Sequence, residues 1–190
     1  MSFFKKDHAD WLVVGLGNPG SRYAGTRHNV GFEVLSELVR RWDMPRAKDK
    51  YKGRFTVGRI YPGGPQVALL QPQTFMNDSG NSVGPARGAL QLDLDHVLVI
   101  HDEIDLPFGR IESRIGGGLA GHNGLKSLKQ GLGSPEFRRI RVGVGRPDTT
   151  DPEIVSAHVL GKFSESADDV RDLIERAATE TERVLTASDQ

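Results

Sequence analysis

Cysteine is absent from this 190-residue chain, and its absence excludes several kinds of chemistry. A chain without thiols forms no disulfide, uses no thiol nucleophile and has no cysteine-ligated zinc site. Catalysis, if the chain performs any, therefore depends on histidine, carboxylate, hydroxyl and amide side chains.

Long apolar runs are also missing. No run approaches the roughly 20 residues that span a bilayer, and the opening MSFFKKDHAD lacks the apolar segment of a signal peptide. We therefore expect a cytoplasmic protein with no membrane partner. The length predicts one domain over residues 1–190. Within this domain we also expect a short N-terminal extension at 1–10 and, in the region 164–187, a C-terminal helix.

The chain has no net charge, because 25 basic residues balance 25 acidic ones. The balance is uneven along the sequence, since acidic residues predominate from Asp148 onward and basic residues predominate before it. The basic block comprises Arg110, Arg114, Lys126, Lys129, Arg138, Arg139, Arg141 and Arg146, against only Glu112 and Glu136. Such a block favours a phosphate-bearing partner, and the alternative is an ordinary solvated strand and helix face.

Short apolar runs alternate with amphipathic helical patterns, which indicates an α/β fold. Strands are predicted at 12–14, 55–61, 67–70, 97–100, 110–115 and 139–144, the last as an edge-type strand with one wet face. Helices are predicted at 30–42, from about 125, at 166–187 and, weakened by Gly84 and Pro85, at 81–90; the charged segment 43–54 is predicted as a surface loop. These elements predict a single domain with a twisted mixed β-sheet flanked by helices.

The segment LVVGLGNPGSRYAGTRHNVG, from Leu12 to Gly31, joins a predicted strand to a predicted helix through a glycine-rich loop. Ligands bind outside the carboxyl ends of strands in open α/β sheets, so His28 is the first candidate for chemistry. We expect Asn29 to cap the helix. The positive end of the helix dipole then favours a neutral His28 that acts as a base.

The same loop matches the GxGxxG pattern of dinucleotide-binding folds. That fingerprint also needs a helix that starts within the loop and an acidic residue at the end of a second strand. Here Pro19, Gly20 and Gly25 delay the start of the helix. The acidic residue in range, Glu37, lies inside that helix and not at the end of a second strand. A Rossmann-type nucleotide-binding oxidoreductase is therefore an alternative with weak support.

Carboxylates follow the predicted strand 97–100 in the sequence HDEID. A carboxylate at the end of a buried strand lies at the ligand-binding edge of the sheet. Asp102 and Asp105 are therefore candidates for chemistry there, and they compete for the role of His28 partner that the family resemblance described below implies. Either residue alone could instead cap a turn.

Four segments in order resemble bacterial peptidyl-tRNA hydrolases: GLGNPGSRYAGTRHNVG, QTFMNDSG, HDEIDLPFGRIESRIGGGLAGHNGLKSL and FRRIRVGVGRP. The resemblance extends from Trp11 to about Lys162. It implies hydrolysis of the ester between a peptide and the 3′-terminal ribose of tRNA, without metal or organic cofactor. We expect the protein to act as a monomer. A non-catalytic tRNA-binding module is the remaining alternative, favoured by the basic block.

The resemblance also assigns roles to individual residues. It implies that His28 is the general base and Asp102 its partner, with Asn18, Asn77 and Asn123 as the polar catalytic residues. Histidine suits the activation of water, and amides donate to an oxyanion without adding charge. The resemblance further implies that Tyr23, Phe75 and Met76 bind the substrate.

For the tRNA acceptor stem, the resemblance implies a clamp on the 5′-phosphate at Arg114 and Arg141. Guanidinium groups suit this role because they contact phosphate in a bidentate manner. Similar enzymes often have a basic residue two positions before Arg114, where this chain has Glu112. Arg110 is the alternative contact at that end.

Overall fold

A seven-stranded mixed β-sheet forms the centre of the computed structural model, which describes residues 6–187. The strands are β1 (Trp11–Gly15), β2 (Lys48–Lys50), β3 (Gly53–Arg59), β4 (Gln66–Pro72), β5 (Val97–Glu103), β6 (Ile111–Ile115) and β7 (Arg138–Gly143), in the spatial order β2-β3-β4-β1-β5-β7-β6. Residues 1–5 of the predicted extension and residues 188–190 of the predicted domain lie outside the described part.

The central strands β4, β1 and β5 are parallel and almost completely buried. Their continuous apolar sequences, WLVVG in β1 and VLVI in β5, suit strands that are covered on both faces. β7 pairs with β5 in parallel, whereas β2, β3 and β6 run antiparallel to their neighbours. The prediction of one α/β domain with a mixed sheet is confirmed.

Helices cover both faces of the sheet. They are α1 (Val30–Arg41), α2 (Gly80–Leu90), α3 (Asn123–Leu132), α4 (Pro152–Val159) and α5 (Ala167–Thr186). α1 and α5 pack on one face, around Leu98 and Ile140, and α2 and α3 pack on the other, around Val99 and Phe137. No helix among residues 6–187 is long and apolar enough to cross a membrane.

The parallel strands bring four chain segments to one edge of the sheet, because their carboxyl ends point the same way. α1 packs close to this edge through Gly31. A Cβ at Gly31 would lie 2.5 Å from the carbonyl oxygen of Ile100, so only glycine permits this approach. The turn before α1, which contains His28, is thereby held beside the end of β5.

The edge-type prediction for residues 139–144 is wrong. β7 lies between β5 and β6, and the side chains of its alternating basic residues are largely shielded from solvent. Arg139 is 1% exposed, and Arg141 forms ion pairs with two carboxylates. Pairing with β6 removes the free edge. The face expected to be exposed is covered because Arg139 bonds backbone carbonyls of residues 117, 118 and 135 and Arg141 pairs with Glu103 and Glu112.

Of two smaller predictions, one differs from the structure and the other, the weak helix at 81–90, is confirmed. The segment 43–54, predicted as loop, contains the exposed strand β2, whose lysines suit a sheet edge because they discourage pairing with other chains. The weak helix predicted at 81–90 forms as α2, with Pro85 inside it. Close packing against α3 stabilises α2 despite its poor propensity: a Cβ at Gly80 or Gly84 would meet α3 backbone.

Candidate active site

A pocket of about 800 Å³ opens at the carboxyl edge of the sheet. Its walls come from the loop after β1, the loop after β4, the end of β5, the segment before α3, and α4. The lining includes Asn18, Tyr23, His28, Phe75, Met76, Asn77, Asp102 and Asn123, together with His122, Lys126, Arg146, Val155 and Val159. All eight of the predicted pocket residues are thus brought together.

His28 and Asp102 form a buried pair at the base of this pocket. His28 lies in the single 3₁₀ turn Arg27–Asn29 before α1, and its Nδ1 is 2.8 Å from Asp102 Oδ2. The His28 side chain is 11% exposed and the Asp102 side chain 1%. The competing candidate, Asp105, pairs with Arg146 instead, at 2.7 Å.

A second histidine, His122, shares the same carboxylate. Its Nε2 is 2.7 Å from Asp102 Oδ1, and its Nδ1 accepts the backbone N–H groups of Gly124 and Leu125 at the start of α3. Because Nδ1 is an acceptor, the proton of this neutral ring is on Nε2. His122 therefore donates to Asp102 and caps α3 at the same time.

The three side chains His28, Asp102 and His122 have the spacing of a possible metal site, since one ligand atom from each lies within 4.8 Å of the others. A metal on His122 Nε2 would require the proton on Nδ1, where it would oppose two backbone N–H groups. The donors and acceptors therefore fit a hydrogen-bonded triad better than a metal centre.

Protonation in the triad is set by burial and charge. Burial alone would raise the pKa of Asp102, but the two imidazoles hold it far below its ordinary range. Burial lowers the pKa of His28, yet the charge and hydrogen bond of Asp102 raise it more, so the pKa of His28 lies above its ordinary value of 6.5. The expectation that the helix dipole keeps His28 neutral is therefore outweighed by Asp102.

Asn18 and Asn29 connect the loops after β1 and β4. The side chain of Asn29 accepts from the backbone N–H of Asn18 and donates to its C=O, at 2.9 Å each. The Oδ1 of Asn18 accepts the backbone N–H of Met76 at 2.7 Å. Asn29 occupies the cap position of α1 but makes no side-chain cap bond, because its side chain braces the loop that positions Asn18.

Asn77 and Asn123 lie at the pocket with their side-chain amides available. Neither side chain hydrogen-bonds to another residue in the range 6–187. Asn77 follows β4 in the turn Met76–Asp78, and Asn123 begins α3 directly after His122. Both amides therefore remain free to contact a substrate.

An apolar rim borders the polar centre. Phe75 is 57% exposed and lies edge-on to Tyr23, with ring centroids 6.5 Å apart, whereas Met76 is buried. Residues Val155, Val159 and Leu160 of α4 and its end form the opposite wall. This wall was not predicted, since α4 is short and its sequence contains no catalytic motif.

Arg114 and Arg141 lie on the same face of β6 and β7, at diagonal positions. Arg114 is exposed and makes no side-chain hydrogen bond to another described residue. Arg141 is engaged, because its Nε is 3.2 Å from Glu103 and its Nη1 is 2.8 Å from Glu112. Glu112 also contacts Arg110 at 3.2 Å.

Sequence reasoning missed His122 although it quoted the GHNG motif that contains it. The only available signal was its position directly before Asn123. A further histidine, His101, is completely buried, and its Nδ1 donates to the backbone C=O of Asp102 at 2.8 Å. Burial lowers the pKa of His101 to about 3, so this ring stays neutral and serves to fix the end of β5.

Fold and site together define a class of protein. A histidine and carboxylate pair with free amides, in a pocket at the strand ends of an α/β sheet, is typical of a hydrolytic enzyme. The comparisons with known proteins then identify the family.

A family model described as peptidyl-tRNA hydrolase matches residues 12–190. The peptidyl-tRNA hydrolase of Bacillus pumilus is 46% identical over 174 residues, which are 91% of this chain and 90% of that protein. The crystal structure of the Acinetobacter baumannii peptidyl-tRNA hydrolase aligns with a TM-score of 0.83 at 38% identity, over 94% of this chain and 91% of that chain. The chain belongs to the peptidyl-tRNA hydrolase family, and the resemblance inferred from the four motifs is confirmed.

The dinucleotide-binding alternative loses its support. Its fingerprint requires a helix that starts within the glycine-rich loop, whereas α1 begins only at Val30, after two separate turns at Ser21–Tyr23 and Arg27–Asn29. The loop after β1 is used instead to place Asn18 and His28 at the pocket.

Proposed function

We propose that this protein cleaves the ester between a peptide and the 3′-terminal ribose of tRNA, with His28 as the general base. The observation that carries the proposal is the buried pair of His28 and Asp102 at the pocket. Nδ1 of His28 is held by Asp102, and Nε2 makes no hydrogen bond to another described residue. Nε2 is therefore directed to the space in which water and substrate meet.

The reaction begins when His28 Nε2 removes a proton from water as the water oxygen attacks the ester carbonyl carbon. The resulting imidazolium is stabilised by the Asp102 carboxylate. The tetrahedral intermediate then collapses, the bond to the ribose 3′-oxygen breaks, and the imidazolium proton passes to that oxygen. The products are the peptide with a free carboxyl group and tRNA with a free 3′-hydroxyl, and His28 returns to its neutral form.

Amide side chains are the proposed donors to the oxyanion and to the peptide. Asn77 and Asn123 support this role because both amides lie at the pocket without a side-chain hydrogen-bond partner among the described residues. An oxyanion donor typically contributes ~3 kcal/mol to the transition state. Asn18, whose Oδ1 is already bonded to the loop after β4, retains only its NH2 group for this purpose.

We propose that the acceptor stem lies along the face of β6 and β7 that carries Arg114 and Arg141. Arg114 is the first phosphate contact on this face, because its guanidinium is exposed and unengaged among the described residues. Arg141 contacts phosphate only after exchanging a carboxylate partner, Glu103 or Glu112. The alternative contact Arg110 is limited in the same way by Glu112.

We also propose that the protein acts as a monomer in the cytoplasm. Translation supplies peptidyl-tRNA in the cytoplasm, which supports that location.

The test compares hydrolysis of N-acetyl-aminoacyl-tRNA by the wild-type protein, His28→Asn and His96→Asn. His96 is a matched control, because it also pairs with an aspartate but lies before β5, at the opposite edge of the sheet. We expect His28→Asn to lose about 10²–10⁴-fold in kcat while binding uncleaved substrate normally, and His96→Asn to retain its rate.

Other outcomes would contradict parts of the proposal. Equal cleavage by wild type and His28→Asn would remove His28 as the base and leave the enzyme assignment intact. If the wild type binds tRNA but does not cleave the substrate, a non-catalytic tRNA-binding module is the better description.

A further inference from the structure

Arg139 is a buried cation to which the proposed reaction gives no role. Its side chain extends from β7 between the sheet and the segment that follows β6, and the residue is 1% exposed. Its guanidinium forms no hydrogen bond with a carboxylate in the described chain. Burial of a charge is unfavourable unless hydrogen bonds compensate it, so the groups that receive these bonds indicate what Arg139 does.

The partners of Arg139 are three backbone carbonyl groups. Nη1 donates to Gly118 at 2.8 Å, and Nη2 donates to Gly117 at 3.1 Å and to Pro135 at 3.3 Å. The guanidinium also lies over the ring of Phe137, 4.9 Å from its centroid. Two of the three carbonyls thus belong to the segment of residues 116–121, which we call the glycine loop.

The glycine loop has little support of its own. The loop backbone is neither extended nor helical, because four of its residues have positive φ angles: Gly116, Gly117, Ala120 and Gly121. Its backbone hydrogen bonds lie at its two ends, from Gly116 to Phe137 and from the residue after the loop, His122, to Leu119. Between these ends, in the described structure, the carbonyls of residues 117 and 118 are bonded only by Arg139.

The glycine loop leads directly into the active site. Ala120 and Gly121 line the pocket, His122 follows and donates to Asp102, and Asn123 begins α3. The glycine loop is therefore joined directly to the segment that presents His122 and Asn123 to the pocket. A shift of about 1 Å in a catalytic group can reduce a rate about 100-fold, even when its cause lies away from the chemistry.

We propose that Arg139 is a positioning residue, which holds the glycine loop so that His122 and Asn123 face the ester. This inference rests on the proposed function of the pocket. It separates Arg139 from the arginines beside it on the same face: Arg114 is exposed toward the proposed tRNA surface, whereas both Nη groups of Arg139 are engaged and its Nε is buried.

The test uses Arg139→Met, Arg139→Lys and the control Arg138→Met. Arg138 is the neighbouring arginine on β7, but it faces the other side of the sheet, where it bonds the carbonyl of Asp95 and covers Trp11. Three quantities are measured: kcat on N-acetyl-aminoacyl-tRNA, Kd for deacylated tRNA, and amide hydrogen exchange over residues 116–125.

We expect kcat of Arg139→Met to fall about 100-fold, with Kd for tRNA unchanged within about threefold, because the guanidinium does not reach the RNA. Amide exchange increases in the glycine loop and the first turn of α3. Arg139→Lys keeps the charge and one donor group, so it recovers part of kcat and carries the test if Arg139→Met does not fold. Arg138→Met matches the wild type in all three measurements.

Two results would overturn the inference. A weaker Kd together with a salt dependence reduced by about one unit of slope, as expected for Arg114→Ala, would make Arg139 a phosphate contact. Unchanged kcat and unchanged exchange in Arg139→Met would show that the loop does not need it. A wild-type protein that fails to cleave the substrate would refute the proposed function instead, and the exchange data would still decide whether Arg139 holds the loop.

Discussion

Replacing Asp102 with asparagine removes one negative charge from the active site and keeps the shape of the side chain. Asp102 accepts hydrogen bonds from His28 at 2.8 Å and from His122 at 2.7 Å. The tautomer of His122 is fixed by its cap on α3, so the asparagine oxygen must face His122. The NH2 group then faces His28 Nδ1 and favours the tautomer with its proton on Nε2, which cannot accept a proton from water.

The expected size of the effect follows from the interaction between the two charges. An opposite charge at this distance ordinarily shifts a pKa by ~1–3 units, and each unit corresponds to about 1.4 kcal/mol. In the proposed mechanism the same interaction stabilises the imidazolium that forms in the transition state. Loss of the charge alone therefore lowers the rate by about 10–10³-fold, and the unfavourable tautomer places the variant near the upper end of that range.

The assay is kcat/KM as a function of pH, combined with an NMR titration of the His28 ring. In the wild type, activity appears as pH rises through the pKa of His28, which lies above 6.5. In Asp102→Asn only the lowering by burial remains, so this acidic limb moves to lower pH while the maximal rate falls. Asp105→Asn, on the acid that pairs with Arg146, is the control and keeps both features.

Two results for Asp102→Asn would refute this reasoning: an acidic limb of the pH–rate profile that moves to higher pH, or a maximal rate within about threefold of the wild type. Either result would mean that Asp102 does not stabilise a protonated His28.

Two further predictions concern His122 and the close packing of α1. His122→Asn keeps a capping oxygen for α3 but removes a hydrogen-bond donor to Asp102, so the negative charge of Asp102 then acts on His28 alone. We therefore expect the pKa of His28 to rise and the activity to fall most at low pH. A loss of activity that is uniform across the pH–rate profile would contradict this prediction. Gly31→Ala places a Cβ 2.5 Å from a carbonyl oxygen of β5, so we expect it to destabilise the fold by about 2 kcal/mol or more. Gly88→Ala is the control, because a Cβ at this position of α2 would meet no atom within 4 Å, and we expect it to stabilise the fold by about 0.5–1 kcal/mol. Urea denaturation measures both, and a tolerated Gly31→Ala would show that the backbone can separate there.

Several elements could be predicted because their signal is local. The apolar runs of β1 and β5 and the amphipathic stripes of α1 and α5 follow from the period of burial in strands and helices. The terminal helix, predicted at 166–187, is an example: it forms over Ala167–Thr186, and the Ser166 hydroxyl caps it by accepting the backbone N–H of Asp169. Each of these features depends on residues within a few positions of one another.

Other elements were mispredicted because their environment comes from distant parts of the chain. The basic residues of β7 suggested an exposed edge, but β6 and the glycine loop cover that strand, so that Arg139 is buried and Arg141 is paired. Asn29 was expected to cap α1, but its side chain bonds Asn18 across the loop. In both cases a side chain has several possible partners, and the local sequence does not select among them.

By itself the sequence determined the α/β class, the single domain, the family and the candidate residues His28 and Asp102. Only the tertiary structure decided that Asp102 and not Asp105 faces His28, that His122 shares the carboxylate, and that Arg139 bonds carbonyls of the glycine loop. Periodicity and motifs report on residues that are near in sequence, whereas hydrogen-bond partners and burial depend on which strands lie side by side. That arrangement exists only once the sheet has formed.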